Sequence, residues 1–186
     1  MSKQILFVTG NTRKAKQAQE ALSPFGIKVL SQDCDIDEIQ STDPEKIAVA
    51  KAKAAYGILQ KPLVVNDHFW SIHALNGFPG GYIKDINQWF SAEDYLKLLE
   101  DKDDRRTTLT EHVIYYDGKN IQGFTVEFHG KFIKEKRGTG HVSAEQIVVF
   151  DGSDKTIAEH IDLNEHSRDV HQSAWNKFGE WYKDNG

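Results

Sequence analysis

Cysteine occurs once in this chain of 186 residues, at Cys34, so no internal disulfide can form. Histidine and cysteine at zinc-ligand spacing are missing as well, and the fold must rest on a hydrophobic core, for which this length suffices as one domain, 1–186. A reducing compartment suits such a chain, and the cytoplasm is the expected location. No apolar run approaches the roughly 20 residues of a membrane helix. Met1 leads straight into a strand, without the apolar core and small-residue cleavage site of a signal peptide. A soluble protein with no membrane partner is expected. Also lacking is a basic stripe: 23 Lys and Arg stand against 28 Asp and Glu, net charge −5, and they are scattered. Duplex nucleic acid needs concentrated positive surface and is excluded as a main partner. A small anion is not, because a few lysines and backbone N–H groups can hold one inside an acidic protein. The eight histidines include no HExxH, so they read as solvated or core-edge side chains. There is no repeat, low-complexity segment or linker.

What is present begins with Gln4-Ile5-Leu6-Phe7-Val8, an apolar run too short for a globular helix and so a buried strand. It delivers the chain to Thr9-Gly10-Asn11-Thr12-Arg13-Lys14, where glycine permits a tight turn and Asn11 or Thr12 can cap a helix ending at Ser23-Pro24. Such a turn gathers backbone N–H groups and a lysine about one point, as a phosphate requires. It lacks the Walker spacing, and by itself such a turn is more often plain βα punctuation. A second strand is expected over 26–30, then an acidic loop over 33–40. Asp43-Pro44-Glu45 carries an N-cap, a proline at the first helical position and an acid in the first turn. In the helix that follows, Ile47, Ala50, Ala54 and Ile58 form the apolar stripe, with Lys51 near its edge.

The stretch 63–90 organises the rest. Leu63-Val64-Val65 reads as a buried strand, with Asp67 at its end, where open α/β sheets bind ligands. Gly77-Phe78-Pro79-Gly80-Gly81 is a turn suited to glycine and proline alone. Downstream come a helix over 92–99, a charged run over 100–106 read as a solvated turn, strands over 108–116 and 121–132 about Asp117-Gly118-Lys119-Asn120, a short strand over 147–150, and an aromatic amphipathic helix over 170–182.

In order and spacing these motifs resemble the inosine triphosphate pyrophosphatase family, hydrolases of non-canonical purine nucleoside triphosphates. The resemblance runs nearly end to end. It rests on Thr9-Gly10-Asn11-Thr12-Arg13-Lys14, Glu38-Ile39-Gln40, Asp43-Pro44, Lys51, Asp67 and, most specifically, Ala74-Leu75-Asn76-Gly77-Phe78-Pro79-Gly80-Gly81-Tyr82. It implies an elongated α/β fold, a mixed sheet flanked by helices in two lobes with a central cleft, and a homodimer. It implies further that Glu38 and Asp67 hold Mg²⁺, and that Thr9, Gly10, Asn11, Lys14 and Lys51 cradle the phosphates. Asp67 and Lys14 would be catalytic, Asp67 accepting a proton from the attacking water, with nucleoside monophosphate and pyrophosphate as products. His68, His166, His171 and Gln172 would contact substrate, and His68, with an ordinary pKa near neutral, is a second candidate for the proton.

The chain departs from the family's pattern at several places. Asn66 replaces the first acid of an acid pair, and His68-Phe69 replace small residues. Ser143-Ala144-Glu145-Gln146-Ile147 stand where a base-enclosing aromatic loop is expected. The late lysine and Ser-His-Arg align with His166 and Val170-His171-Gln172. Losing an arginine from a base pocket removes a discriminating hydrogen bond. The expectation is therefore a hydrolase with altered base preference, and the rival is a non-catalytic binding descendant of the same fold.

Overall fold

Strands and helices alternate through the first half of the chain as the hydrophobic pattern predicts, in a computed structural model that describes residues 3–140 and 142–186. In chain order these are β1 (Lys3–Val8), α1 (Thr12–Leu22), β2 (Ile27–Gln32), α2 (Pro44–Leu59), β3 (Leu63–Ile72), β4 (Pro79–Gly80), α3 (Ile83–Trp89), α4 (Ala92–Leu98), β5 (Arg106–Tyr116), β6 (Ile121–Phe132), β7 (Val148–Phe150), α5 (Ile157–Asp162) and α6 (Ala174–Asn185). The fold is α/β, with parallel and antiparallel pairs in one sheet. Two compact units divide the chain: Met1–Asp67, Glu111–Val126 and Val170–Gly186 form the first, His68–Thr110 and Glu127–Asp169 the second.

In the first unit the strand order is β2-β1-β3-β5-β6, and β1 runs parallel to both of its neighbours. Parallel strands covered on both faces are apolar at successive positions, which is why Leu63-Val64-Val65 does not alternate with polar residues. Phe7, Val64 and Val113 point into one cluster with Trp175, Phe178 and Tyr182; Val8, Leu63, Val65 and Ile114 point into another with Ala48, Ala52 and Ala55. The start signals act as read. The Asn11 side chain accepts from the Lys14 N–H at 3.1 Å, and Asp43 accepts from Glu45 N at 3.1 Å, with Pro44 opening α2.

Two expectations need correction here. The buried face of α2 is Ile47, Ala48, Ala52 and Ala55, while Ile58 is 60% exposed. Small alanines let the helix lie close on the sheet, and this rotates the stripe so that Lys51 falls within the buried face rather than at its edge. β3 continues to Ile72, so Asp67 lies in the middle of a strand of 10 residues rather than at its end. His68-Phe69-Trp70 carries the apolar, ring-rich composition that favours a pleat.

The second unit contains β3, β5, β6 and β7 residues in that order, with β4 antiparallel on β3 and β7 antiparallel on β6. Gly130 faces Phe150 across the β6–β7 pair, and a Cβ there would sit 2.4 Å from the Val149 carbonyl oxygen, so the position requires glycine. Its core gathers Ile72, Tyr95, Leu99, Phe132, Ile147 and Val148. The charged run before β5 is less solvated than its composition implies, because the Arg105 guanidinium donates to the carbonyls of Leu99 (2.9 Å), Phe132 (3.0 Å) and Ile133 (3.3 Å). Helices α3 and α5 escape a reading of periodicity, being 7 and 6 residues long. The second still carries a capping box, since Thr156 Oγ1 accepts from Glu159 N and Glu159 Oε2 from Thr156 N.

Phe178 is fully buried and packs rings against Tyr115, Phe124, Trp175 and Tyr182. Phe178→Ala should therefore lower the unfolding free energy by about 3–5 kcal/mol. The midpoint of urea denaturation measures this, and a wild-type midpoint would exclude this cluster as the main core.

Candidate functional site

Lys51 is held by α2 inside the first unit, where the sheet and the acidic loop before α2 each bring it a carboxylate. Its Nζ lies 2.8 Å from Glu38 Oε1 and 2.9 Å from Asp67 Oδ1. The lysine and Asp67 side chains are only 18% and 14% exposed, so water screens this pair weakly, whereas Glu38 at 40% is half in solvent. Burial works against the Lys51 charge, but Asp67 and Glu38 outweigh it and hold its pKa above the ordinary lysine value.

Lys14, in the first turn of α1, donates from Nζ to the Asn66 carbonyl at 3.0 Å. Burial lowers its pKa to about 8, with Lys51 pushing the same way and Asp67 and Glu111 pulling against them. The turn before it consumes its own side chains: Asn11 N donates to Thr9 Oγ1 at 3.0 Å, and Asn11 caps the helix. Gly10 completes it, a Cβ at that position lying 2.8 Å from the Asp33 carboxyl carbon. What the turn presents to a ligand is thus the positive end of α1 and the Lys14 ammonium.

Asn66, the departure beside Asp67, is 4% exposed, and its Nδ2 donates to the His112 carbonyl at 3.1 Å. A neutral amide suits that place, where an ionised acid would be desolvated. His112 is itself buried, which lowers its pKa, and its Nδ1 pairs with Thr125 Oγ1 at 2.9 Å.

The first unit therefore brings together Thr9, Gly10, Asn11, Lys14, Glu38, Lys51 and Asp67. It also carries His171 and Gln172, both exposed, on the turn Val170–Gln172, which packs beside α1. His68 and His166 belong to the second unit, His68 half-buried in β3 and His166 exposed after α5. The rebuilt segment Ser143–Gln146 is a 3₁₀ turn in which the buried Glu145 bends back to accept from Val142 N at 3.2 Å. Glu111 and His112 also belong to this region, and the signal for them in the sequence is two titratable residues inside the otherwise apolar second half of β5.

Two carboxylates converging on one cation position fit a hard divalent ion, since Mg²⁺ is commonly bound by one or two carboxylates and completed by phosphate oxygens and water. Among the described residues there is no cluster of three or more His, Cys, Asp or Glu that could hold a metal by protein ligands alone. A metal here would need the substrate's own oxygens.

Fold and site define an α/β protein in which a glycine turn and helix N-terminus carrying Lys14 stand beside a lysine-bridged pair of carboxylates. The chain belongs to the Ham1 family, whose model matches residues 5–181, and the inosine triphosphate pyrophosphatase resemblance of its motifs is that relationship. It is 36% identical over 183 residues to the dITP/XTP pyrophosphatase of Methanopyrus kandleri, covering 97% of each chain. With the dITP/XTP pyrophosphatase of Thermococcus kodakarensis it shares 30% over 182 residues, covering 97% of this chain and 98% of that one. Among solved structures, a HAM1 protein from Coxiella burnetii superposes with a TM-score of 0.81 at 21% identity, covering 98% and 99% of the two chains, which shows the shared fold.

The displaced Lys14 pKa has a consequence for stability. Its folded value of about 8 lies below its ordinary 10.5, so between these pH values the unfolded chain binds more protons and stability rises with pH. Lys51, raised instead, contributes stability that is lost only above 10.5. Lys14→Met should stabilise the unliganded protein at pH 7 and flatten the rise between about pH 8 and 10.5. Thermal melts across that range would show it, and parallel curves for the two proteins would refute it.

Proposed function

We propose that this chain hydrolyses non-canonical nucleoside triphosphates to nucleoside monophosphate and pyrophosphate, with Mg²⁺, and with a base preference altered from that of its relatives. The enzyme class, nucleoside triphosphate pyrophosphohydrolase, follows from its family and from full-length relatives named dITP/XTP pyrophosphatases. The observation that carries the chemistry is the Lys51 ammonium bridging Glu38 and Asp67, with Lys14 alongside.

Phosphoryl-group chemistry is catalysed mainly by positioning and charge neutralisation. Lys14 and the N-terminus of α1, with Thr9, Gly10 and Asn11 shaping the turn, hold the polyphosphate; Lys51 orients both carboxylates by its ion pairs and adds positive charge. Glu38 and Asp67 would hold the Mg²⁺, which supplies further neutralisation of the phosphate oxygens. Water attacks the α-phosphorus, the bond to the oxygen bridging the β-phosphorus breaks, and pyrophosphate leaves with that oxygen. Asp67 takes the water's proton. His68, His166, His171 and Gln172 are proposed substrate contacts. The altered preference is supported by Gln172 in the arginine position and by Glu145, whose carboxylate is turned onto Val142 N.

The reading treats 1–186 as one functional domain, since β3, β5 and β6 each contribute residues to both units. It includes a homodimer, for which Trp89, 72% exposed, and Tyr82 offer apolar surface. It also places the protein in the cytoplasm; among the described residues no helix is long and apolar enough to cross a membrane.

Pyrophosphate release from dITP, XTP, ITP and the standard nucleoside triphosphates, with and without Mg²⁺, tests the proposal. Metal-dependent release from a subset of these is expected, and Asp67→Asn should reduce it by at least about a hundredfold. A folded wild type silent on every substrate would leave the non-catalytic binding descendant instead.

A further inference from the structure

Glu111 is 4% exposed in β5, and its Oε2 accepts from the Ala174 N–H at 2.8 Å. That N–H opens α6, a helix whose own N-cap residue does not cap it. Ser173 instead donates from Oγ to the Val170 carbonyl at 2.8 Å. The first N–H groups of a helix need acceptors from outside it, and Glu111 supplies one from 63 positions away in the chain. The buried side chain faces the positive end of α6, and the acceptor oxygen it presents there is what the helix start requires.

The turn fastened in this way is the one bearing His171 and Gln172. Asn176, in its hydrogen-bonded orientation, holds the same turn from the helix side, its amide nitrogen donating to the carbonyls of Val170 (3.0 Å) and His171 (3.2 Å). The turn packs beside α1, the helix whose first turn carries Lys14. Two exposed side chains on a three-residue turn would otherwise sample many arrangements, and ordering them on binding costs affinity.

We propose that Glu111 is a positioning residue for nucleotide binding, clamping the start of α6 so that His171 and Gln172 are held ready beside Lys14. This rests on the hydrolase reading above. Because the clamp orders a binding turn and touches no reacting atom, its loss raises KM and spares kcat. Glu111→Gln retains an acceptor oxygen for Ala174 N; Glu111→Ala retains none.

The experiment is steady-state pyrophosphate release by the full chain, together with nucleotide-induced thermal shifts, for wild type, Glu111→Ala, Glu111→Gln and Asn176→Ala. Glu111→Ala should raise KM and the apparent nucleotide Kd by roughly tenfold with kcat within about twofold, and Glu111→Gln should stay within about threefold of wild type. Asn176→Ala, which loosens the turn without disturbing the buried acid, should also raise KM and decides the matter if Glu111→Ala does not fold. A lowered Tm with wild-type KM in the alanine variants overturns the inference, as does a loss confined to kcat. A wild type that neither binds nor hydrolyses any nucleotide overturns the hydrolase reading and this inference with it, whereas an active wild type with unaffected variants sinks this inference alone.

Discussion

The ion pair of Lys51 with Glu38 and Asp67 is the constraint on which the rest of the site depends. A lysine within the sheet-facing side of α2 is desolvated, and that burial is tolerated only because two carboxylates meet its charge. Each partner comes from a different kind of structure. Asp67 is carried by a strand whose neighbouring residues are buried, so its position is set by core packing, whereas Glu38 comes from a loop and is 40% exposed. The site thus has one largely buried acid and one half-solvated acid about the same cation.

The neighbouring choices follow from that arrangement. With Lys51, Lys14 and Asp67 crowded together, a further ionised acid at position 66 would have to be buried, and Asn66 makes a neutral hydrogen bond to the His112 carbonyl instead. Lys14 is left with a pKa of about 8, protonated at neutral pH yet readily influenced by any anion that approaches. The two lysines respond in opposite directions because their surroundings differ: Lys51 bonds two carboxylates directly, and Lys14 bonds a carbonyl.

Much of this was legible in the chain. The caps at Asn11 and Asp43, the proline at the start of α2, the glycine turn and the apolar runs of β1 and β3 are local signals, and local signals survive into the structure because they concern residues a few positions apart. Failures occurred where a neighbour distant in sequence decided. The stripe of α2 was displaced because alanine allows close contact that leucine-sized residues would prevent, and periodicity alone does not weigh alanine against isoleucine. Polarity at Asn66 and Asp67 resembles a strand terminus, but β3 runs on through both to Ile72.

By itself the sequence determined the α/β class, the family, and the charged residues from which the candidate site is built, since composition, spacing and motif order are properties of a linear chain. Only the tertiary structure decided that Lys51 lies between Glu38 and Asp67, that Asn66 is spent on a backbone carbonyl, and that Glu111 caps a helix 63 residues away. The reason is physical. A charge acquires its pKa and its partner from burial and from groups brought near by packing, and neither is encoded in its own position along the chain.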